Sequence, residues 1–153
     1  MSIFFELLDK NSDDWTTIAD QISQVSWRAG KFLADKMYLN DFNDWEKVIV
    51  GKNSKGKLTS FCVVSKKDGL IDEFISPFIA YVFVEEAYRG KRLSERLLKV
   101  AEDYLRSQNF KIVYIVSGEV GLYEKYGYKK IRNCSTIHGD SENLFEKSLT
   151  NDD

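Results

Sequence analysis

The stretch Ala80-AYVFVEEAYRGKRLSERLLKVAEDYL-Leu105 decides how the rest of the chain is read. It begins with β-branched and aromatic residues, passes a single arginine-glycine turn, and continues as a helix. Leu93, Leu97, Ala101, Tyr104 and Leu105 recur at helical spacing, which predicts a helix over 93–106 with one apolar stripe. Glu95, Arg96, Lys99, Glu102 and Asp103 fall off that stripe. Arg89, Lys91, Arg92 and Arg96 crowd the junction between strand and helix. The first N–H groups of a helix lack intrahelical partners, and the helix dipole adds positive potential there. Cations at that end oppose the dipole, so the arrangement is favourable only around an anion, and a pyrophosphate would fit. Gly90 supplies the freedom that a tight turn beside a ligand requires.

Outward from this junction the pattern is a mixed one. The segment 2–8 reads as a strand. Ser12 and two acids precede Trp15, Ile18, Ala19 and Ile22, which suits the start of a first helix. A second helix is expected over 27–37. Val48–Val50 and Leu58–Val64 flank the turn residues of 53–56 and read as a hairpin. Pro77, the only proline, opens the next strand. After the long helix come a strand at 111–116, a short helix at 119–126 stopped by Gly127, and two closing strands. The order β-α-α-β-β-β-α-β-α-β-β predicts an α/β (α+β) mixed sheet with helices on its faces, in one domain over 1–150 with a frayed acidic tail at 151–153.

Composition narrows the function. The chain has 153 residues with 22 basic against 24 acidic side chains, which does not suit a duplex nucleic-acid binder. No apolar run approaches the roughly 20 residues of a spanning helix. The N-terminus turns acidic after its apolar start and lacks signal-peptide features, so a cytoplasmic setting is expected. Cys62 and Cys134 are expected to be buried thiols, and with His138 they make no plausible zinc set. The aromatic residues Trp15, Trp27, Phe32, Tyr38, Phe42 and Trp45 are read mainly as core.

Together, Val82-VFVEEAYRGKRLSERLL-Leu98 and Gly121-GLYEKYGYKKI-Ile131 resemble the GNAT superfamily of acetyl-CoA-dependent N-acetyltransferases. The first is similar to that family's [QR]-x-x-G-x-[GA] phosphate loop, and the second to its LYEK-x-GF segment. Three positions depart from the family pattern. Arg92 stands at the loop's usual glycine, Ser94 at its glycine or alanine, and Val116 where an asparagine is frequent.

The resemblance implies a GNAT-like acyl-CoA N-acyltransferase fold and direct transfer of an acetyl group from acetyl-CoA to an amine, with no metal, nucleic acid or membrane taking part. It implies that the backbone of Val82, Phe83 and Val84 pairs with the pantetheine arm, with the Val84 N–H on the acetyl carbonyl. It implies that Arg89, Gly90, Lys91, Arg92, Leu93 and Ser94 hold the pyrophosphate, and that Tyr123 is the general acid. Arg92, in ordinary helical angles, is expected to bind a phosphate oxygen through its guanidinium. Glu73, Glu85, Glu86 and Glu119 are open candidates for a base. The acceptor is a small-molecule or peptide amine, and the sequence does not separate a monomer from a homodimer. A non-catalytic acyl-CoA-binding or regulatory domain on the same fold is the alternative.

Overall fold

The computed structural model describes residues 2–70 and 74–150. Seven strands, β1 (Phe4–Leu8), β2 (Lys47–Lys52), β3 (Leu58–Ser65), β4 (Phe78–Val84), β5 (Ile112–Ser117), β6 (Lys129–Ser135) and β7 (Ser141–Ser148), form one sheet in the order β1-β2-β3-β4-β5-β7-β6. Neighbours are antiparallel except β4 and β5, which run parallel. Three α-helices accompany them: α1 (Trp15–Ser23), α2 (Ala29–Tyr38) and α3 (Leu93–Ser107).

Period-two alternation sends successive residues to opposite faces and builds two cores. Val48, Val50, Phe61 and Val63 face α1 and α2, where Trp15, Ile18, Ile22, Leu33 and Met37 cover them. Ile49, Cys62, Val64 and Ile79 face α3 and meet Leu97, Leu98, Ala101 and Leu105. Every residue of β3 is buried because both faces are covered. Each leucine buried on α3 contributes about 1.5–3 kcal/mol.

Several local expectations change. Ser12 does not cap α1: its hydroxyl accepts from the Asp9 N–H at 3.1 Å, and its carbonyl accepts from the Trp15 N–H at 3.1 Å. Ser12 therefore closes a turn ahead of the helix, whose N-cap is Asp14. The second helix starts at Ala29, which leaves Trp27 ahead of it and turned onto β4. The short helix after β5 is a 3₁₀ turn, Tyr123–Tyr126, ended by Gly127 at φ 91°. Glu102 is buried on α3, not solvated, because it meets Lys147 of β7 at 3.0 Å. Glu73 and the tail 151–153 lie outside the described residues. Among the described residues no helix is long and apolar enough to cross a membrane.

Candidate active site

The site begins where β4 and β5 part. β4 stays on β3 from Ser65↔Phe78 to Ser60↔Val84, with an irregularity between Phe61 and Val63. Tyr81 takes up the extra residue there at φ 54°, the left-handed conformation of a bulge. On the other side β4 pairs with β5 only at Phe78↔Tyr114, where the Tyr114 N–H also donates to the Pro77 carbonyl at 3.0 Å. Beyond that point no strand among the described residues pairs with this edge of β4.

Backbone alternation shows which groups face this slot. The Glu85 N–H donates to the Thr59 carbonyl on β3 at 2.8 Å. One residue earlier, Val84 therefore turns its N–H and carbonyl away from β3, and Arg89 Nε donates to that carbonyl at 2.9 Å. Phe83 turns back to β3 opposite Phe61, and the alternation returns the Val82 carbonyl to the slot. The expected pairing of all three residues with an extended ligand thus narrows to Val82 and Val84. Phe83 contributes its ring, which lies flat against Trp27 at 5.6 Å and 6°.

The junction that follows has a different internal chemistry from the one expected. A 3₁₀ turn, Glu86–Tyr88, leads to Arg89 and to Gly90 at φ 76°, with open space around the position of a Cβ. Arg92 is also left-handed, at φ 59° and ψ 26°, as the N-cap of α3. Its guanidinium is a fork on the Glu95 carboxylate, Nε to Oε1 at 2.7 Å and Nη2 to Oε2 at 2.9 Å. The expectation of ordinary helical angles is corrected, and without a ligand the guanidinium rests on Glu95. The signal was present in the motif, since a glycine at that place marks a positive φ. Arg96 is turned away as well, over the Phe5 ring at 5.4 Å. Arg89 lies on the Val84 carbonyl and over the Phe83 ring at 5.9 Å.

What remains for an anion is backbone and Lys91. The first bond into α3 is Arg96 N–H to the Arg92 carbonyl at 3.3 Å, so the N–H groups of Leu93, Ser94 and Glu95 open outward. Lys91 is exposed and makes no ion pair among the described residues. The Leu93 side chain is buried and leaves only its main chain to the loop. The Ser94 hydroxyl shares a 2.8 Å hydrogen bond with the Tyr126 hydroxyl, which joins the loop to the 3₁₀ turn of Tyr123. The residues present fit a pyrophosphate through main-chain donors more than through arginines.

Tyr123 is buried, with its ring against Phe145 at 5.6 Å and Tyr128 at 6.1 Å. It belongs to the apolar cluster on the α3 side, against which Val82 also packs. Burial pushes its hydroxyl well above the usual phenol range, the Glu119 charge adds to this, and a hydrogen bond with Ser117 works the other way. The phenol is therefore protonated at neutral pH. Its turn is held from below: Lys147 Nζ donates to the Tyr126 carbonyl at 2.8 Å and to Glu102 Oε1 at 3.0 Å, and the Tyr128 hydroxyl donates to Glu102 Oε2 at 2.8 Å. Sequence spacing missed Glu102 and Lys147, because their pairing joins residues far apart in the chain.

Other candidates separate cleanly. Glu86 and Glu119 are exposed and Glu85 is half-buried. Cys134 is buried in β6, while His138 is exposed in the turn that follows. Trp15 is core, edge-on to Phe42 at 5.0 Å. Val116 packs toward Leu70, Phe78 and Leu144.

The same architecture occurs in solved acetyltransferases. An aminoglycoside 6′-acetyltransferase type Ii superposes with a TM-score of 0.73 at 16% identity, over 96% of this chain and 97% of that one. The GNAT family N-acetyltransferase YhbS from Escherichia coli, in complex with CoA, gives 0.69 at 18% identity over 98% and 83%. A chain of the NatC complex bound to Gag peptide and CoA gives 0.69 at 16% identity over 98% and 100%. No curated protein matches at the level of sequence. The model of the acetyltransferase (GNAT) family matches residues 8–128, across the split strands, the glycine turn and the tyrosine turn. With most of its length inside that match, this chain belongs to the acetyltransferase (GNAT) family.

Proposed function

We propose that this protein transfers an acetyl group from acetyl-CoA to a primary amine by direct attack. The observation that carries the reading is the free edge of β4, Val82 to Val84, running into the open N-terminus of α3. An extended arm can add to that edge as a further strand, and its diphosphate then meets the N–H groups of Leu93 to Glu95 with Lys91 beside them. Acetyl-CoA supplies an activated thioester when bound. The Val84 N–H is offered to the acetyl oxygen, where charge grows during attack. Arg89 holds the carbonyl of the same residue and fixes the edge. Tyr123 gives its proton to the departing sulfur, whose thiol has an ordinary pKa near ~8.5.

The acceptor is a small molecule or a peptide amine, in keeping with the aminoglycoside and peptide named for the structural relatives. The proposed setting is the cytoplasm. A non-catalytic acyl-CoA-binding role is the second reading, favoured by one observation: the Arg92 guanidinium is already engaged by Glu95.

The test is amine-dependent thiol release from acetyl-CoA across a panel of primary amines, beside thermal melts with acetyl-CoA. At 100 times its dissociation constant the ligand should stabilise the fold by about 2.7 kcal/mol. Stabilisation without release for any amine would select the non-catalytic reading, and no stabilisation would reject both.

A further inference from the structure

One line of residues on α3 meets the turn that carries Tyr123. Ser94, Leu98 and Glu102 follow one another at four-residue spacing and so fall in a row along the helix. Leu98 is buried in the cluster that also holds Tyr123. The two polar members of the row both reach across. Ser94 Oγ shares a 2.8 Å hydrogen bond with the Tyr126 hydroxyl, and Glu102 Oε2 accepts from the Tyr128 hydroxyl at 2.8 Å. Of the two, Ser94 does so from the first turn of α3, where the phosphate loop ends. Its N–H is among those that open outward there, while its hydroxyl is taken by Tyr126. One residue thus faces the anion site with its main chain and the tyrosine turn with its side chain. Glycine or alanine, the usual residue at this place in the loop, has no hydroxyl to offer.

The far side of the bond is a segment that needs fixing. Gly121, at φ 88° with open space about the position of a Cβ, stands just ahead of the turn, and Gly127, at φ 91°, ends it. Two hydrogen bonds from outside the turn end on Tyr126: Lys147 Nζ donates to its carbonyl at 2.8 Å, and Ser94 meets its hydroxyl. A cavity of about 540 Å³ lies beside the half-buried Tyr126, lined also by Leu98, Lys99 and Lys147, so packing does not enclose the ring. In a 3₁₀ turn residues three apart stand one above the other, which puts Tyr126 in line with Tyr123. Whatever holds Tyr126 therefore aims Tyr123.

We propose that Ser94 and Tyr126 are a positioning pair that carries occupancy of the phosphate loop to Tyr123. This rests on the acetyltransferase reading above, and it gives the Ser94 side chain a use other than holding the pyrophosphate. A diphosphate on the N–H groups of Leu93 to Glu95 fixes the first turn of α3. The Ser94 hydroxyl then fixes Tyr126, and the turn sets the Tyr123 hydroxyl against the departing sulfur. Proton donation requires hydrogen-bond reach, about 2.6–3.2 Å between heavy atoms. A misplacement of about 1 Å can cost about 10²-fold in rate. Loss of the bond should therefore fall on the chemical step and spare coenzyme binding.

The test is steady-state kinetics with the amine panel for wild type, Ser94→Ala, Tyr126→Phe, the double variant and Ser94→Thr, beside calorimetric affinity for acetyl-CoA and melting temperatures. Each of the first two variants should lose about 10- to 10²-fold in kcat, with KM and affinity for acetyl-CoA within about twofold of wild type. The double variant should lose no more than either single one, because both remove the same bond. Ser94→Thr keeps a hydroxyl and should recover most of kcat. Wild-type kcat in the single variants, whether or not their melting temperatures fall, would overturn the proposal, as would losses that add in the double variant. Weaker acetyl-CoA binding with unchanged kcat would also overturn it and make the Ser94 hydroxyl a phosphate ligand. Absence of transfer by wild type, with any amine, would instead overturn the proposed function and this pairing with it.

Discussion

Glu102 and Asp68 are two acids that the protein treats oppositely, the first buried and the second half-buried. Glu102, on the α3 side, has each oxygen engaged, one by Lys147 at 3.0 Å and the other by the Tyr128 hydroxyl at 2.8 Å. Asp68, in the loop after β3, has neither oxygen engaged among the described residues. The first arrangement fastens a helix, a strand and a turn into a platform for Tyr123. The second leaves a carboxylate with an open side to solvent. A buried acid with a full set of partners fixes the elements around it.

The contrast breaks first, and most visibly, in turnover. Tyr123→Phe should lower kcat by about 10²–10⁴-fold, because the phenol acts when the sulfur leaves. Its affinity for acetyl-CoA by calorimetry should stay near that of wild type, since the slot and loop are untouched. Equal turnover, with chemistry shown to be limiting, would return Tyr123 to a packing role.

Stability gives the next largest separation. Glu102→Ala leaves the Lys147 ammonium and the Tyr128 hydroxyl without their shared acceptor. Removing one partner of a buried pair costs about 3–5 kcal/mol, and Lys147, partly exposed, places the expected loss at the lower end. Asp68→Asn should show no such loss in urea denaturation at pH 7. A similar loss for both variants would erase the distinction between them.

The pH dependence sharpens the same point. The folded carboxyl of Asp68 sits at about 7, above its ordinary 3.8, so the native state holds its proton more tightly than the unfolded chain. The stabilisation from that proton is complete below pH ~4 and is lost as pH rises through ~7. Melting temperatures of Asp68→Asn and wild type should therefore coincide near pH 3.5 and diverge by pH 8, with the asparagine variant the more stable. A constant difference across that range would mean that Asp68 is not desolvated.

The smallest expected effect is at Arg92. A left-handed residue other than glycine costs roughly 1–2 kcal/mol, and the exposed fork to Glu95 returns little of it. Arg92→Gly should raise stability by about 1 kcal/mol. Its effect on acetyl-CoA affinity should be slight, with an unchanged salt dependence. Weaker and less salt-sensitive binding would show that the guanidinium leaves Glu95 for the ligand.

Much of the fold could be read from local chemistry. The helical stripe of Leu93, Leu97, Ala101 and Leu105, the turn chemistry around Asn53 and Gly56, and the stop at Gly127 all act within a few residues, and each appears at its expected place. What escaped reading depends on distant partners. Glu102 is buried because β7 brings Lys147 to it. The slot exists because β4 and β5 hold together at one point only, which no periodicity encodes. Asp68 lies in a loop without periodicity, and no local pattern marks its partial burial. Arg92 is the intermediate case: the family's glycine was the clue to its backbone angle, while its bond to Glu95 needed coordinates.

The most direct test of the account is a crystal structure of the protein with acetyl-CoA. The prediction is an extended arm along Val82 and Val84, the acetyl oxygen on the Val84 N–H, and the sulfur beside the Tyr123 hydroxyl. A coenzyme bound away from the β4 edge, or a thioester shielded from Tyr123, would contradict it.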